Sequence, residues 1–170
     1  MINLGTFENK SGKMVISDPI YELGTWCQGV LDVKKGKYNA FLIKSDEGNW
    51  GIRCKEILVF HEEVRDIENI EWDLTDINVG VDSGQAGFFD FKTYRKDKII
   101  PEGSTSFMPD EPWYSTCCDL TLSEEQAGVF ESGLVSSSGY GDGSYSCFVA
   151  KNENNEIIAL RIVFISDNDI

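Results

Sequence analysis

The stretch Ile157-Ile-Ala-Leu-Arg-Ile-Val-Phe-Ile165 is apolar at every position except Arg161. A short apolar run without alternation, rich in β-branched residues, predicts a strand that is covered on both faces. The turn-forming segment Asn152-Glu-Asn-Asn-Glu156 precedes it, and residues 145–151 before that turn have the composition of a partner strand. We therefore predict a C-terminal hairpin whose second strand, 157–165, lies in the centre of a sheet.

Short candidate strands continue towards the N terminus. The segments 2–8 and 13–17 are predicted to pair across the hairpin turn Asn9-Lys-Ser-Gly12. Turn residues separate the remaining candidates, which are β-branched or aromatic in composition. These further predicted strands are 25–33, 38–44, 50–61, 77–81 and 88–91.

Helical patterns are few. Asp110 is a candidate cap for a short helix that carries Trp113, Cys117 and Leu120 on one face. Ser123-Glu-Glu-Gln126 matches a capping box and predicts a second helix that reaches Phe130. Only a weak helical stripe marks 62–76, and 95–112 is predicted to be a long loop. The predicted fold class is mainly β (α+β with strands dominant), an antiparallel sheet or sandwich with one or two short helices, in one domain over 1–170.

Composition and charge limit the function classes. The net charge of −14 opposes direct contact with nucleic-acid phosphates and permits a basic protein partner. We find no secretory leader and no run long enough to cross a bilayer, so no membrane association is expected. Five cysteines, an odd number with two adjacent, indicate reduced thiols in a cytoplasmic protein rather than a disulfide framework.

Two glycine-rich turns carry the strongest site signal. In Asp82-Ser-Gly-Gln-Ala-Gly87, Asp and Ser can bond the amides of their own turn, which favours a structural turn. Ser136-Ser-Ser-Gly-Tyr-Gly-Asp-Gly-Ser-Tyr145 has more glycine than a hairpin needs, so a structural turn and a ligand loop stay equally open. Together with the strand end at Ser17-Asp-Pro-Ile-Tyr21 they give a hypothetical ligand-binding set, whose members are Asp18, Tyr21, Asp82, Ser83, Gln85, Asp90, Tyr140, Asp142 and Ser144.

Other chemical motifs are weak. Neither glycine turn matches a nucleotide-binding loop or a calcium loop, so no cofactor is identified. If the aspartates converged, their oxygens would suit a divalent metal or acid–base chemistry. His61, the only histidine, is interpreted as a surface polar side chain, and the four tryptophans as core or rim packing.

Three motifs together resemble a known family. Over residues 14–165 the chain is similar to an uncharacterised bacterial and phage domain of unknown function. The motifs that carry this similarity are Ser17-Asp-Pro-x-Tyr21 with Gly24-Thr-Trp-Cys27, then Val81-Asp-Ser-Gly-Gln-Ala-Gly87, and then Gly139-Tyr-Gly-Asp-Gly-Ser-Tyr145. That family often has Cys after Asp-Pro, whereas this chain has Ile20. The resemblance implies no catalytic residue and associates the chain only with immunity or anti-defence roles.

Three functional hypotheses follow. The leading one is a small acidic cytosolic binding or inhibitory protein that engages a protein partner, because acidity is marked and no nucleophile or nucleotide motif is recognisable. The alternative is an enzyme or ligand-binding domain with an Asp-lined pocket at the two glycine turns, with metal dependence as one option. The third is DNA mimicry, which needs a linear stripe of carboxylates.

Overall fold

The secondary structure is described by a computed structural model over residues 1–97 and 111–167. Within those ranges it contains eleven strands, one α-helix and one 3-10 turn at Gly48–Trp50. In chain order the elements are β1 (Ile2–Asn9), β2 (Lys13–Ser17), β3 (Gly29–Asp32), β4 (Gly36–Asp46), β5 (Ile52–His61), β6 (Asp73–Val81), β7 (Gln85–Asp90), α1 (Pro112–Thr121), β8 (Ala127–Phe130), β9 (Gly133–Ser137), β10 (Gly143–Lys151) and β11 (Ile157–Val163).

The strands form two antiparallel sheets, which confirms the predicted mainly β class. One sheet has six strands in the order β1-β4-β5-β11-β10-β6, and the other has five in the order β3-β2-β7-β9-β8. Their facing sides share one core, in which Tyr38 and Leu160 from the first sheet join Met14 and Phe88 from the second. β11 lies between β5 and β10, so its predicted central position is confirmed.

A helix covers the outer face of the five-stranded sheet. Val15, Phe89 and Val135 point outward from this sheet and pack against Trp113 and Cys117 of α1. The predicted helix is therefore confirmed, since its apolar face finds a partner in the sheet. The N-cap residue of α1 is Glu111, whose side chain makes no capping hydrogen bond. The predicted cap, Asp110, lies outside the described residues. Residues 98–110 of the predicted loop also lie outside them.

A non-helical segment covers part of the outer face of the six-stranded sheet. Leu58 and Phe60 on β5 pack against Ile67 and Trp72 of the segment that joins β5 to β6. The apolar residues of 62–72 therefore contact the sheet without forming the helix that their weak stripe suggested. The rest of this outer face, towards the start of β5, is left open.

The first predicted hairpin is wrong. β1 pairs with β4 and β2 pairs with β3 and β7, so the turn at 9–12 carries the chain from one sheet to the other. Phe7 and Met14 then both lie in the shared core, one from each sheet. Turn chemistry correctly marks the reversal at Asn9, whose side chain accepts a hydrogen bond from the Gly12 amide, but it does not specify which strands pair.

The predicted second helix is also wrong. Residues 127–130 form β8, which pairs with β9. The Ser123 hydroxyl donates to the Leu120 carbonyl at the end of α1, and the Gln126 side chain donates to the Ile52 carbonyl instead of bonding back to Ser123. Gln126 has a φ of 64°, a left-handed conformation that a helix cannot continue through.

Several predicted strand limits are shifted. The strand predicted at 25–33 is only 29–32, and the one predicted from 50 starts at 52 because 48–50 form the 3-10 turn. Conversely, β6 starts at 73, four residues before the predicted limit, and β7 starts at Gln85 within the glycine motif. The motif 82–87 is thus a short turn followed by a buried strand.

Candidate functional site

The two glycine turns meet at one end of the sandwich, which we call the glycine-loop end. The turn at 82–84 leads from β6 in one sheet to β7 in the other, and the turn at 138–142 returns from β9 to β10. Strand register aligns them, because Val81 pairs with Gly143 and Gln85 pairs with Ser137. The Ser138 amide donates to the Gly84 carbonyl over 3.0 Å, so the turns are in direct contact.

A buried carboxylate holds the first turn in place. Asp18 follows β2 and is fully buried. Its Oδ2 accepts the amides of Asp82 at 2.8 Å and Ser83 at 2.7 Å, and its Oδ1 accepts the Ile20 amide at 2.9 Å and the Ser83 hydroxyl at 2.5 Å. Charge-assisted bonds of this kind are the strong class of protein hydrogen bond. Asp18 is therefore a clamp between the 18–21 segment and the first glycine turn.

Polar groups continue from this clamp into the interface with α1. The Gln85 side-chain oxygen accepts from the Thr121 hydroxyl at 3.1 Å, and its amide nitrogen lies 3.5 Å from the Tyr114 hydroxyl and 3.6 Å from the Cys118 sulfur. Burial raises the pKa of Tyr114 to about 12. Burial also raises the pKa of Cys117 well above its ordinary value. At neutral pH Tyr114 and Cys117 therefore remain protonated, and neither is an activated nucleophile.

The remaining predicted residues at this end are more open. The carboxylates of Asp82 and Asp142 belong to exposed residues on adjacent turns. Tyr21 is half-buried, and burial followed by the nearby Cys27 raises the pKa of its hydroxyl. Ser144 is exposed at the start of β10. The predicted site residues other than Asp90 thus lie at this end, but within the described part of the chain side-chain hydrogen bonds join only Asp18, Asp82, Ser83 and Gln85. Ser144 lines the outer face of the six-stranded sheet.

Asp90 lies at the opposite end of the sandwich. It ends β7 and pairs in register with Met14, at the start of β2. Its carboxylate accepts hydrogen bonds from the amides of Lys10 and Lys92 and from the Ser11 hydroxyl. Asp90 therefore stabilises the crossover turn at 9–12. Over residues 1–97 and 111–167, no group of three or more His, Cys, Asp or Glu side chains is placed to hold a metal ion.

Sequence reasoning named Tyr140 as a site residue but missed the exposed aromatic patch to which it belongs at the glycine-loop end. Trp50 is 67% exposed, Ile52 48% and Tyr140 54%. The Trp50 and Tyr140 rings meet edge-on with centroids 6.5 Å apart, and the Arg53 guanidinium lies 5.6 Å from the centre of the Tyr140 ring. We call Trp50, Ile52, Arg53 and Tyr140 the aromatic patch. The sequence signal for the patch was Tyr140, which lies between Gly139 and Gly141 in a turn where no core can form around its ring.

A hydrogen bond links the two turns that carry the aromatic patch. The Tyr140 hydroxyl donates to the Glu47 carboxylate over 2.6 Å. This bond lowers the pKa of Glu47, and the Ser45 hydroxyl contributes in the same direction. Arg53 also reaches the second turn, since its Nη1 lies 3.4 Å from the Gly139 carbonyl oxygen. Tyr140, Glu47 and Arg53 are therefore held in a defined arrangement.

The expectation that His61 is a surface side chain is wrong. His61 is 4% exposed at the end of β5. Its Nδ1 accepts the Glu63 amide at 3.1 Å, and its Nε2 is 2.8 Å from the Lys35 carbonyl oxygen, to which it donates. Both ring nitrogens are thus used in joining the β3–β4 turn to the end of β5. His61 has a structural role at the end opposite the glycine turns.

The tryptophans and cysteines have distinct environments. Trp113 of α1 is almost fully buried against the five-stranded sheet, whereas Trp26 is 93% exposed in the 18–28 connection. The packing interpretation therefore fails for Trp26 and Trp50. All five cysteines are free and buried. No helix in the described ranges is long and apolar enough to span a membrane.

Comparisons with known proteins give a family but no activity. No curated protein and no solved structure matches this chain. A family model described as "Protein of unknown function (DUF4241)" matches residues 7–162, which include the Asp18 clamp and both glycine turns. The match covers most of the chain, in agreement with the resemblance drawn from the three motifs. The chain belongs to this DUF4241 family of proteins of unknown function.

Proposed function

We propose that this protein is a small acidic cytosolic binding or inhibitory protein that docks a protein partner on the aromatic patch. The observation that carries the proposal is the exposure of Trp50 and Tyr140, whose rings meet edge-on at one end of the sandwich, with the exposed Ile52 two residues after Trp50 in the chain. Trp, Tyr and Arg are the residue types most enriched among interface hot spots. Clustered apolar exposure of this kind is a feature of interaction sites, whereas single exposed apolar residues are ordinary.

The chemistry of the patch and of the whole chain describes the partner. Trp50 and Ile52 suit an apolar pocket, and the ring of Tyr140 is already oriented by Glu47 and Arg53. The net charge of −14 attracts cationic proteins over a distance and speeds their encounter with the patch. The partner we propose is therefore a protein with an apolar pocket and a positively charged surface around it.

The alternative of an Asp-lined catalytic or metal pocket has less support. Asp18 is buried and accepts four hydrogen bonds, so binding a ligand there would require the turn at 82–84 to open. Asp90 lies at the other end and is used in its own turn. Asp82 and Asp142 remain, both on the surface.

The five free thiols support the cytoplasm as the compartment in which this protein works, because a reducing compartment keeps cysteines unpaired.

Site-specific crosslinking tests the proposal. A photoreactive amino acid would replace Trp50, or in a matched protein Trp26, and each would be expressed in the native host. We expect one protein to be crosslinked from position 50 and not from position 26. Because both residues are exposed tryptophans on connections, equal crosslinking from the two positions, or none from position 50, would reject the patch as the docking site.

A further inference from the structure

A separate cavity opens on the outer face of the six-stranded sheet. It has a volume of about 460 Å³ and no residue of the aromatic patch lines it. The 62–72 segment covers Leu58 and Phe60 but leaves the next row of outward residues open. That row is formed by Glu56, Val163 and Ser146, which are paired across β5, β11 and β10. Its volume falls within the range of roughly 300–1,000 Å³ that is typical of small-molecule sites.

Among the described residues, Arg161 is the one cationic residue that lines this cavity, together with the carboxylates of Glu56 and Asp167. Its guanidinium carbon lies 4.6 Å from the centre of the Phe148 ring and 5.1 Å from the centre of the Trp72 ring. Contacts with two aromatic rings restrict the guanidinium to one orientation, which presents its hydrogen-bonding edge in a fixed direction. Within the part of the chain that the structure describes, the buried Nε of Arg161 has no hydrogen-bond partner.

The nearest carboxylate does not satisfy this guanidinium. Oε2 of Glu56 is 3.7 Å from Nη1 of Arg161, which is longer than a direct hydrogen bond of about 2.7–3.2 Å. The Arg161 and Glu56 side chains are only 26% and 15% exposed. Two opposite charges are thus largely withdrawn from water without a direct hydrogen bond between them, which is a costly arrangement for the protein alone.

We propose that this cavity binds a free α-amino acid with an apolar side chain. The α-carboxylate accepts hydrogen bonds from Arg161, and the α-ammonium donates to Glu56, so that one ligand supplies the missing partner of each charge. The apolar side chain of the ligand lies against Val163 and Phe148 on the cavity floor. This site is independent of the proposed protein-binding function, because none of its residues belongs to the aromatic patch.

Titration with a matched set of probes tests this proposal. The full chain, labelled for amide NMR, would be titrated with L-phenylalanine, 3-phenylpropanoate (which lacks the ammonium) and 2-phenylethylamine (which lacks the carboxylate). We expect L-phenylalanine at millimolar concentration to shift the amides of Ser146 and Val163. Each analogue should bind at least about tenfold more weakly, since each lacks one charged hydrogen-bonding group.

Variants separate recognition from a loss of folding. Arg161→Lys retains the positive charge but lacks the planar fork, and Glu56→Gln retains the size but not the charge. Both should weaken L-phenylalanine binding by at least about tenfold, whereas Arg95→Lys, at an arginine that pairs with Glu111 outside the cavity, should leave it unchanged. Retained amide dispersion establishes that each variant is folded. Three outcomes would each overturn the proposal. They are binding of 3-phenylpropanoate as tight as that of L-phenylalanine, unchanged L-phenylalanine binding in both cavity variants, and the absence of amide shifts with every probe.

Discussion

Replacing Asp18 by Asn is the most informative perturbation of the glycine-loop end. An Asn side chain can keep one oxygen for the Ile20 amide and the Ser83 hydroxyl. Its NH₂ group then occupies the place of Oδ2 and faces the amides of Asp82 and Ser83, which are also donors. Two hydrogen bonds to a charged acceptor are lost, and the variant gains no compensating contact.

The size of the effect follows from those two bonds. A hydrogen bond to a charged group contributes about 1.5–3 kcal/mol, so their loss from the fully buried Asp18 would cost at most about 6 kcal/mol. The two amides are only partly buried, and water that reaches them after local relaxation lowers the cost. We therefore expect the free energy of unfolding to fall by about 3 kcal/mol.

Urea unfolding followed by tryptophan fluorescence measures this change. Asp82→Asn is the matched control, because it removes the same charge from a neighbouring residue. The Asp82 side chain is exposed, and its carboxylate makes no hydrogen bond among the described contacts. Its stability should stay within about 0.5 kcal/mol of the wild type. Equal losses in Asp18→Asn and Asp82→Asn would refute the clamp and would leave the buried carboxylate free for ligand chemistry.

Three further outcomes are expected from burial and packing. In the folded protein all five cysteines should resist a thiol reagent at neutral pH and react only after denaturation, because all are buried; fast labelling of the native protein would contradict this. Burial raises the pKa of Cys147 to about 12, so the unfolded chain loses this proton at lower pH than the folded one. Above about pH 8.5 this thiol alone lowers the free energy of unfolding by up to about 1.4 kcal/mol per pH unit. Urea unfolding should therefore show a shallower fall with rising pH in Cys147→Ala than in the wild type, and equal slopes would contradict this. Gly87→Ala should unfold far more easily than Gly143→Ala. An added Cβ at 87 would lie 2.1 Å from the Leu134 carbonyl oxygen, whereas one at 143 would meet the Tyr145 side chain at 3.2 Å or more. Thermal melts that rank the two variants equally would contradict this packing.

The strands were largely predictable because their side chains report burial directly. The run 157–165 is apolar except at Arg161 because β11 lies in the middle of its sheet, between the shared core and an outer face that the 62–72 segment covers in part. Pairing was less predictable. Asn9-Lys-Ser-Gly12 has hairpin chemistry, yet it crosses between sheets, because a turn determines the reversal and the tertiary packing determines the partner.

The candidate site was predicted in part, for a related reason. Asp18 and the first glycine turn meet because β2 and β7 pair at Ser17 and Gly87, which no local pattern reveals. The aromatic patch was missed, since Trp50 and Tyr140 are far apart in sequence: Tyr140 was assigned to the ligand-binding set, and Trp50 was interpreted as packing. Ser123-Glu-Glu-Gln126 failed differently, because β8 gains ladder hydrogen bonds and burial that outweigh a local helix signal.

The affinity of the crosslinked partner for a Trp50→Ala protein tests the central claim most directly. The purified partner would be titrated calorimetrically into the wild type, Trp50→Ala and Trp26→Ala. A hot-spot tryptophan carries about 2 kcal/mol or more, so Trp50→Ala should weaken binding by about thirtyfold or more while Trp26→Ala binds as the wild type does. Unchanged affinity in Trp50→Ala would contradict the proposal that the aromatic patch is where this protein binds its partner.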